Sequence, residues 1–354
     1  MFGNLQSLKG KTVYHLSHND LDGYSPQVIS KLSTLKIAKH IHCGYDRFEE
    51  ELDEVMSSFE EVMSSFEEDK NVPKYVTSAI LITDIAPTSE EIVERLNNLF
   101  TAGLTIVLLD HHDTAKWISE KYPEWAFITS KINDRLTSAT ELYYLYLKEK
   151  DCFLTHVYES YAVNTFVEQV RSYDTWDWYR TGNDLAKELN SVLYILTPSQ
   201  FIEMQLAKFV KIFTNVRLPD LFSLNETEQL LVNVENKREE KYIESRSKKM
   251  VKHEWYVDGK RYDVGVVFAD QYHSTLGNTL NTLNPELNFV AILDMNSGKG
   301  SLRTIHEDVH VGNIAKSIAG GGGHPKAAGF EFDSEKMTFL TENALGLLPQ
   351  SSHA

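Results

Sequence analysis

Four short clusters of histidine and aspartate punctuate the 354-residue chain. They are His18-Asn-Asp20-Leu-Asp22-Gly23, a lone Asp84 behind an apolar run, Asp110-His111-His112, and the carboxylates of Ser172-Tyr-Asp174-Thr-Trp-Asp177. Singly, each has a bland reading: a surface loop, a helix cap, a strand end, a solvated carboxylate. Jointly, they would bring several unpaired charges into one cleft, which is costly unless cations neutralise them. Carboxylate and imidazole without cysteine suit Mn²⁺ or Mg²⁺ better than structural zinc. So many donors suit two ions bridged by a shared carboxylate. That arrangement serves phosphoester hydrolysis by activating a water and neutralising the charge that builds on phosphate oxygens.

The elements around these clusters explain how they can converge. Residues 11–17, 79–83 and 104–109 are short apolar or β-rich runs, suited to parallel strands buried on both faces. The first three clusters come directly after those runs. Between them, Thr88 with Glu91 predicts a capped helix whose face carries Ile92, Leu96, Leu99 and Phe100, and Ser138 with Glu141 predicts another. Alternating strand and helix predicts a doubly wound α/β domain, whose ligands sit at the carboxyl ends of the strands. Residues 186–252 read as a polar helical linker ending in a lysine- and arginine-rich run. The last hundred residues change character: an Asp258-Gly259 hairpin, a helix near 275–283, strands at 288–293 and 300–305, a helix to about 319 and a strand near 329–332. The expected organisation is therefore 1–185, a parallel-sheet domain; 186–252, a linker; and 253–354, a smaller mixed-sheet α/β domain. Gly320 to Gly323 followed by His324 reads as a phosphate cradle, to which Arg303 can add a bidentate contact.

One segment is repetitive. Glu54-Val-Met-Ser-Ser-Phe-Glu60 recurs at once as residues 61–67. The repeat keeps Leu52, Val55, Phe59, Val62 and Phe66 on one side of a helix, and two heptads are short for a coiled coil. A duplication that lengthened a surface helix is the simpler reading.

Composition bounds the alternatives. At 42% hydrophobic and 24% charged, the chain is ordinary globular material. Two cysteines, Cys43 and Cys152, make no disulfide framework, which points to a reducing compartment. The start has no signal-peptide pattern, and no run approaches a membrane span. A cytoplasmic location is expected. The formal charge of −16 opposes a protein that coats long nucleic acid. It leaves room for a short anionic substrate at a metal-centred site.

The ordered set His18-Asn-Asp20-Leu-Asp22-Gly23, Asp84, Asp110-His111-His112, Tyr173-Asp174-Thr-Trp176 and Gly321-Gly-Gly-His324-Pro-Lys-Ala-Ala-Gly329-Phe330 resembles the motifs of the DHH/DHHA1 phosphoesterases. The resemblance spans residues 18–330. It implies a di-manganese site, with Mg²⁺ or Co²⁺ as substitutes, ligated by His18, Asp20, Asp22, Asp84, His111 and Asp174. Asp22 and Asp84 are the most shared, and Asp177 is a rival to Asp174. The resemblance sets Asp110 and His112 beside the scissile phosphate, with Arg303, Gly321, Gly322, Gly323 and His324 holding substrate phosphates. Size and the absence of sensory segments favour the compact nanoRNases, nearer the B type than the A type. The implied activity is hydrolysis of short single-stranded RNA oligonucleotides or dinucleotides to nucleoside 5′-monophosphates, and a homodimer is compatible with it. A phosphatase for 3′-phosphoadenosine 5′-phosphate, pApA or short polyphosphate is the alternative. An inactive nucleotide-binding protein is the alternative of another class.

Overall fold

A computed structural model of the chain describes residues 1–66, 77–215 and 219–331. The chain divides into two compact units, Met1–Val232 and Asn233–Ala354. In chain order the first unit opens with β1 (Thr12–Ser17), α1 (Leu21–Leu32), β2 (Lys36–His42), α2 (Tyr45–Phe66), β3 (Ser78–Thr83) and α3 (Glu90–Thr101). It continues with β4 (Thr105–Asp110), α4 (Lys116–Lys121), β5 (Ala126–Ile128), β6 (Lys131–Ile132), β7 (Arg135–Leu136) and α5 (Ala139–Glu149). Five helices come next: α6 (Thr155–Tyr158), α7 (Tyr161–Asp174), α8 (Asp177–Thr181), α9 (Asp184–Ile195) and α10 (Pro198–Thr214). Helix α11 (Glu226–Ser247) contains the division point.

The main sheet is parallel, in the order β2-β1-β3-β4-β5. Its central strands are apolar on both faces, as crossover helices require. Ala79, Leu81, Val107 and Leu109 enter a core with α1, α5, α7, α9 and α10. Ile80, Ile82, Ile106 and Leu108 enter the opposite core with α2 and α3. The α/β doubly wound expectation is met. Ser17 pairs with Thr83, and Thr83 with Leu109, so β1, β3 and β4 end side by side. The order reverses direction at β1, which is where such sheets open a crevice.

Two local details differ from the expected ones. The cap of α3 is Ser89, whose side chain accepts from the Ile92 N–H. Thr88 is not available, because its N–H and hydroxyl both donate to Glu49 of α2. Of the 186–252 span, Leu189, Val192, Phe201, Phe209, Phe222, Leu224 and Val232 join the core of the first unit, so these helices are packed rather than solvated. In α2, Phe48, Leu52, Val55, Met56 and Phe59 are buried. The side chains of Val62 and Phe66, and Glu67 altogether, lie outside the described residues.

The second unit is built on β8 (Val251–Val257), β9 (Lys260–Phe268), α12 (His273–Leu283), β10 (Phe289–Asp294), β11 (Lys299–Arg303), α13 (Val311–Ala319), β12 (Gly322–Gly323) and β13 (Ala327–Glu331). Its sheet is mixed, in the order β12-β13-β11-β10-β9-β8, with β9 and β10 parallel. Asp258 and Gly259 both have positive φ, as a two-residue type I′ hairpin turn demands. Among the described residues no helix is long and apolar enough to cross a membrane.

Candidate metal centre

Every charged group predicted for the first unit except Asp177 arrives at the carboxyl edge of the parallel sheet. His18, Asp20 and Asp22 come from the β1–α1 junction, Asp84 comes just after β3, and Asp110-His111-His112 ends β4. Asp174 closes α7. Asp177 is elsewhere: it pairs with Arg171 and Arg180, each at 2.8 Å.

The cluster is held by the fold's own hydrogen bonds. Asp20 caps α1, its Oδ1 accepting the Gly23 N–H at 2.9 Å, while Oδ2 lies 2.8 Å from His18 Nδ1. That His18 contact keeps the Asp20 carboxyl below its usual range, against the opposing effect of burial. Asp22, buried in the first turn of α1, accepts the N–H groups of Ala139 and Thr140 at 2.6 and 2.9 Å. The N-terminus of α5 thus supports it. Asp110 Oδ1 accepts the His111 N–H and lies 2.8 Å from His112 Nδ1.

Asp84 occupies the centre. Its φ is +62°, a left-handed conformation that few side chains adopt, and its N–H donates to Leu109 O at 3.2 Å. His111 Nε2 is 3.3 Å from Asp84 Oδ1, 3.5 Å from Asp174 Oδ2 and 3.8 Å from Asp22 Oδ2. Three sets of possible ligand atoms lie within 4.8 Å of one another: Asp84 with Asp110, His111 and His112; His18 with Asp20 and Asp84; Asp22 with His111 and Asp174. Asp84 and His111 each belong to two sets, Asp22 to one.

Burial raises the pKa of Asp84 well above the carboxylate range, and the neighbouring charges of Asp20, Asp22, Asp174 and Asp110 add to it. Asp174 is raised for the same reasons. Burial lowers His111, so its imidazole is neutral, the form that ligates metals. His112 is raised instead: the Asp110 hydrogen bond outweighs the burial that opposes it.

Four buried atoms here lack a hydrogen-bond partner among the described residues: Asp84 Oδ2, Asp110 Oδ2, Asp174 Oδ2 and His111 Nε2. Native structures rarely leave such atoms orphaned, and a bound cation would satisfy them. The residues therefore fit divalent cations of the oxygen- and imidazole-preferring kind.

Gly23 is required by contact. A Cβ there would fall 2.0 Å from the His18 carbonyl oxygen. Gly23→Ala must push the His18 backbone away from the first turn of α1. We expect a loss of about 1–3 kcal/mol in stability, as for other overpacked sites, and weaker binding of divalent ions. Thermal melts with and without Mn²⁺ measure both, and a variant that melts and binds like wild type would contradict the expectation.

In the second unit the structure gathers Arg303, the glycine run and His324 on neighbouring strands. Arg303 pairs with Ala327 and Gly323 with Ala328. The guanidinium donates to Ser274 Oγ at 3.1 Å and to the Leu302 carbonyl at 2.9 Å, and its Nε is orphaned. No carboxylate among the described residues pairs with it, and burial lowers its pKa. Gly320 is the left-handed cap of α13, and Gly321 N–H donates to Ala315 O at 3.2 Å. The His324 N–H donates to Ala327 O at 2.8 Å. Part of the run's backbone is thus committed to the fold, while the His324 residue is exposed and Arg303 keeps Nε without a partner among the described residues.

Sequence reasoning did not single out Tyr45, whose ring lies 5.3 Å from that of His18 and 6.4 Å from that of His112. The Ser138 cap marked the start of α5 in the sequence, but not its place beneath Asp22. Tyr45 carries no local pattern that could have flagged it.

Comparison with known proteins agrees with these observations. Residues 266–348 match the DHHA1 domain family. The chain is 35% identical to oligoribonuclease NrnB of Bacillus subtilis, over 95% of this chain and 77% of that protein. It is 25% identical to a 3′,5′-cyclic-nucleotide phosphodiesterase of Helicobacter pylori, over 92% of this chain and 94% of that one. Among solved structures, RecJ of Thermus thermophilus in complex with Mn²⁺ aligns with 96% of this chain and 53% of its own, at 13% identity and a TM-score of 0.48.

Proposed function

The chain belongs to the DHH/DHHA1 phosphoesterase family and is a phosphodiester hydrolase, and from that premise we propose that it degrades very short RNA oligonucleotides to nucleoside 5′-monophosphates, using Mn²⁺. The observation that carries the reading is the set of orphaned buried donors around Asp84. The NrnB relative supports the substrate class.

In this reading His18, Asp20, Asp22, Asp84, His111 and Asp174 hold two divalent cations, with Asp110 as a further candidate. Such cations would activate a water and offset the charge that develops on the phosphate. The chain's own residues do the rest. Asp84, common to two ligand sets, would be shared between them. The α5 N-terminus and the Asp20 cap keep the donors in place before substrate arrives, which is the preorganisation that electrostatic catalysis needs. His112, its Nδ1 engaged by Asp110 and its pKa raised by that contact, presents Nε2 to a phosphate oxygen or the leaving oxygen. Arg303 and His324 bind substrate phosphates. A short substrate has few phosphates, so the acidic chain needs no broad basic surface.

Recombinant protein with Mn²⁺ and di- to pentaribonucleotides tests this, with products separated by chromatography. Release of 5′-mononucleotides is expected. Absence of hydrolysis at every length would sink the reading. The same panel should include pApA, 3′-phosphoadenosine 5′-phosphate and short polyphosphate. Faster turnover of any of these would reassign the substrate without moving the centre. Tight nucleotide binding with no turnover and no ion uptake would instead indicate a silent binding protein.

A further inference from the structure

Beside the metal centre, within the first unit, lies a pocket of about 190 Å³. Its inner end is Asp110 and His112; its other surfaces are Tyr45, Ala86, Pro87, Thr88, Thr114, Ala115 and Trp117. The pocket is therefore made by the loops after β2, β3 and β4, the same strand ends that carry the cluster. No lysine or arginine lines it. Its walls are two aromatic rings and small apolar groups. A pocket below about 300 Å³ is small for a whole drug-sized ligand, and suits one flat ring system.

Tyr45 is the distinctive wall. Its side chain is 53% exposed, although it sits at the first turn of α2 beside buried carboxylates. Its ring rests edge-on to His112. None of the described residues hydrogen-bonds its hydroxyl, so the ring is held by its place on α2 and by packing against the His18 and His112 rings. The Thr88 hydroxyl is taken by Glu49. The pocket thus offers flat apolar surface and few free polar groups.

We propose that this pocket receives the nucleobase of the nucleoside next to the scissile phosphate, stacked on Tyr45. The inference rests on the phosphodiesterase reading above and deepens it. Beyond His112 at its inner end a phosphate would find no lysine or arginine here, whereas a base finds aromatic faces, and base–aromatic stacking is tolerant of sequence because every base has a π-face. Scarcity of polar groups adds a consequence: the enzyme reads the presence of a base, not its identity. Rates on A, C, G and U at that position should differ by less than about tenfold, because there is little hydrogen-bond readout to favour one base.

Kinetics on dinucleotides with Mn²⁺ test the proposal, using intact substrate and two analogues in which the 5′ or the 3′ nucleoside is an abasic ribose. Tyr45→Ala should raise KM on intact dinucleotide by about ten- to a hundredfold, the stacking range expressed as affinity, with a much smaller change in kcat. That penalty should vanish on one of the two abasic substrates. Tyr45→Phe should return KM to within a few-fold of wild type. Thr114→Trp, which fills the pocket from its exposed rim, should raise KM with Tyr45 intact. Melting curves show whether each variant is folded. An unchanged KM in folded Tyr45→Ala, or a penalty that persists on both abasic substrates, would overturn the pocket assignment, as would equal falls in kcat for Tyr45→Ala and Tyr45→Phe. Those outcomes leave the phosphodiesterase reading standing. Only a wild-type protein that cleaves none of the three substrates defeats that reading.

Discussion

Asp84→Asn should abolish turnover and stabilise the metal-free protein in the same step. The carboxylate belongs to two of the three ligand sets, so the two cations proposed for this edge would lose a shared anionic partner. Metal-ion electrostatics supply several kcal/mol of transition-state stabilisation. At 1.36 kcal/mol per decade, a loss of about 10³-fold or more in kcat/KM is expected. The fold should gain instead. Asp84 is 2% exposed and faces Asp20, Asp22, Asp110 and Asp174, so a metal-free centre concentrates like charge in a buried place. The amide removes that repulsion at nearly constant volume. Asparagine also accepts a positive φ better than most residues, so the +62° backbone and the N–H bond to Leu109 survive. In chelator the variant should melt above wild type, and with Mn²⁺ below it. Activity within tenfold of wild type, or a lower melting temperature in chelator, would refute the assignment of Asp84 as the shared group.

Adding Mn²⁺ to wild type should raise its melting temperature and change how stability depends on pH. An ion at 100 times its Kd contributes about 2.7 kcal/mol, which for a domain near this size is on the order of 5–10 °C. Without metal, Asp84 and Asp174 have folded-state pKa values above their unfolded ones. Between those values the native state holds more protons than the unfolded state. Stability therefore falls as pH rises from about 4, the unfolded carboxylate value, toward the raised native values. Asp20 and His111, both lowered, pull the opposite way, and so does a cluster of three further histidines. His15, His40 and His42 meet at the β1–β2 edge, with His15 Nδ1 3.1 Å from His40 Nδ1. Burial lowers His40 to about 3 and His42 to about 4, and lowers His15 as well. The unfolded chain then binds the extra protons, so their contribution is present above about 6.5 and lost as pH falls toward 4. With metal bound, the carboxylate trend is cancelled and the histidine trend remains. Melts across pH 4–8 should show stability declining only on the acid side with Mn²⁺, and on both sides in chelator. Superimposable curves with and without Mn²⁺ would count against a metal centre at this edge.

The parts of the site that were legible in the sequence are those where chemistry sits just past a buried strand. An apolar run marks β1, β3 or β4, and the polar residue that ends it must lie at the sheet's carboxyl edge. Hence the positions of His18, Asp84 and Asp110 could be read from sequence. The illegible parts depend on partners far away in the chain. Glu49 moves the α3 cap from Thr88 to Ser89 by taking the Thr88 donors, across 39 residues. The α5 N-terminus meets Asp22 across 117 residues. Asp174 and Asp177 are indistinguishable by type, and the Arg171 guanidinium separates them by engaging Asp177. Tyr45 is a single aromatic after β2, without period or motif, and only the pocket gives it meaning.

Helix α2 joins two of these observations in one rod. Its first residue, Tyr45, stands at the metal centre, and the repeated heptad lies toward its other end. Seven residues advance a helix about 10 Å and turn it to within about 20° of its starting face. A heptad added after residue 60 leaves Phe48, Leu52, Val55, Met56, Phe59 and the Glu60–Arg95 pair untouched, because all of them precede it, and it returns the chain beyond it to nearly the same helical face. Insertions of other lengths would rotate the downstream residues out of phase. The enzyme thus has a direction in which its chain can grow in quantised steps while its catalytic end stays in place. Here evolution, or an engineer attaching a tag, can change length without renegotiating the active site.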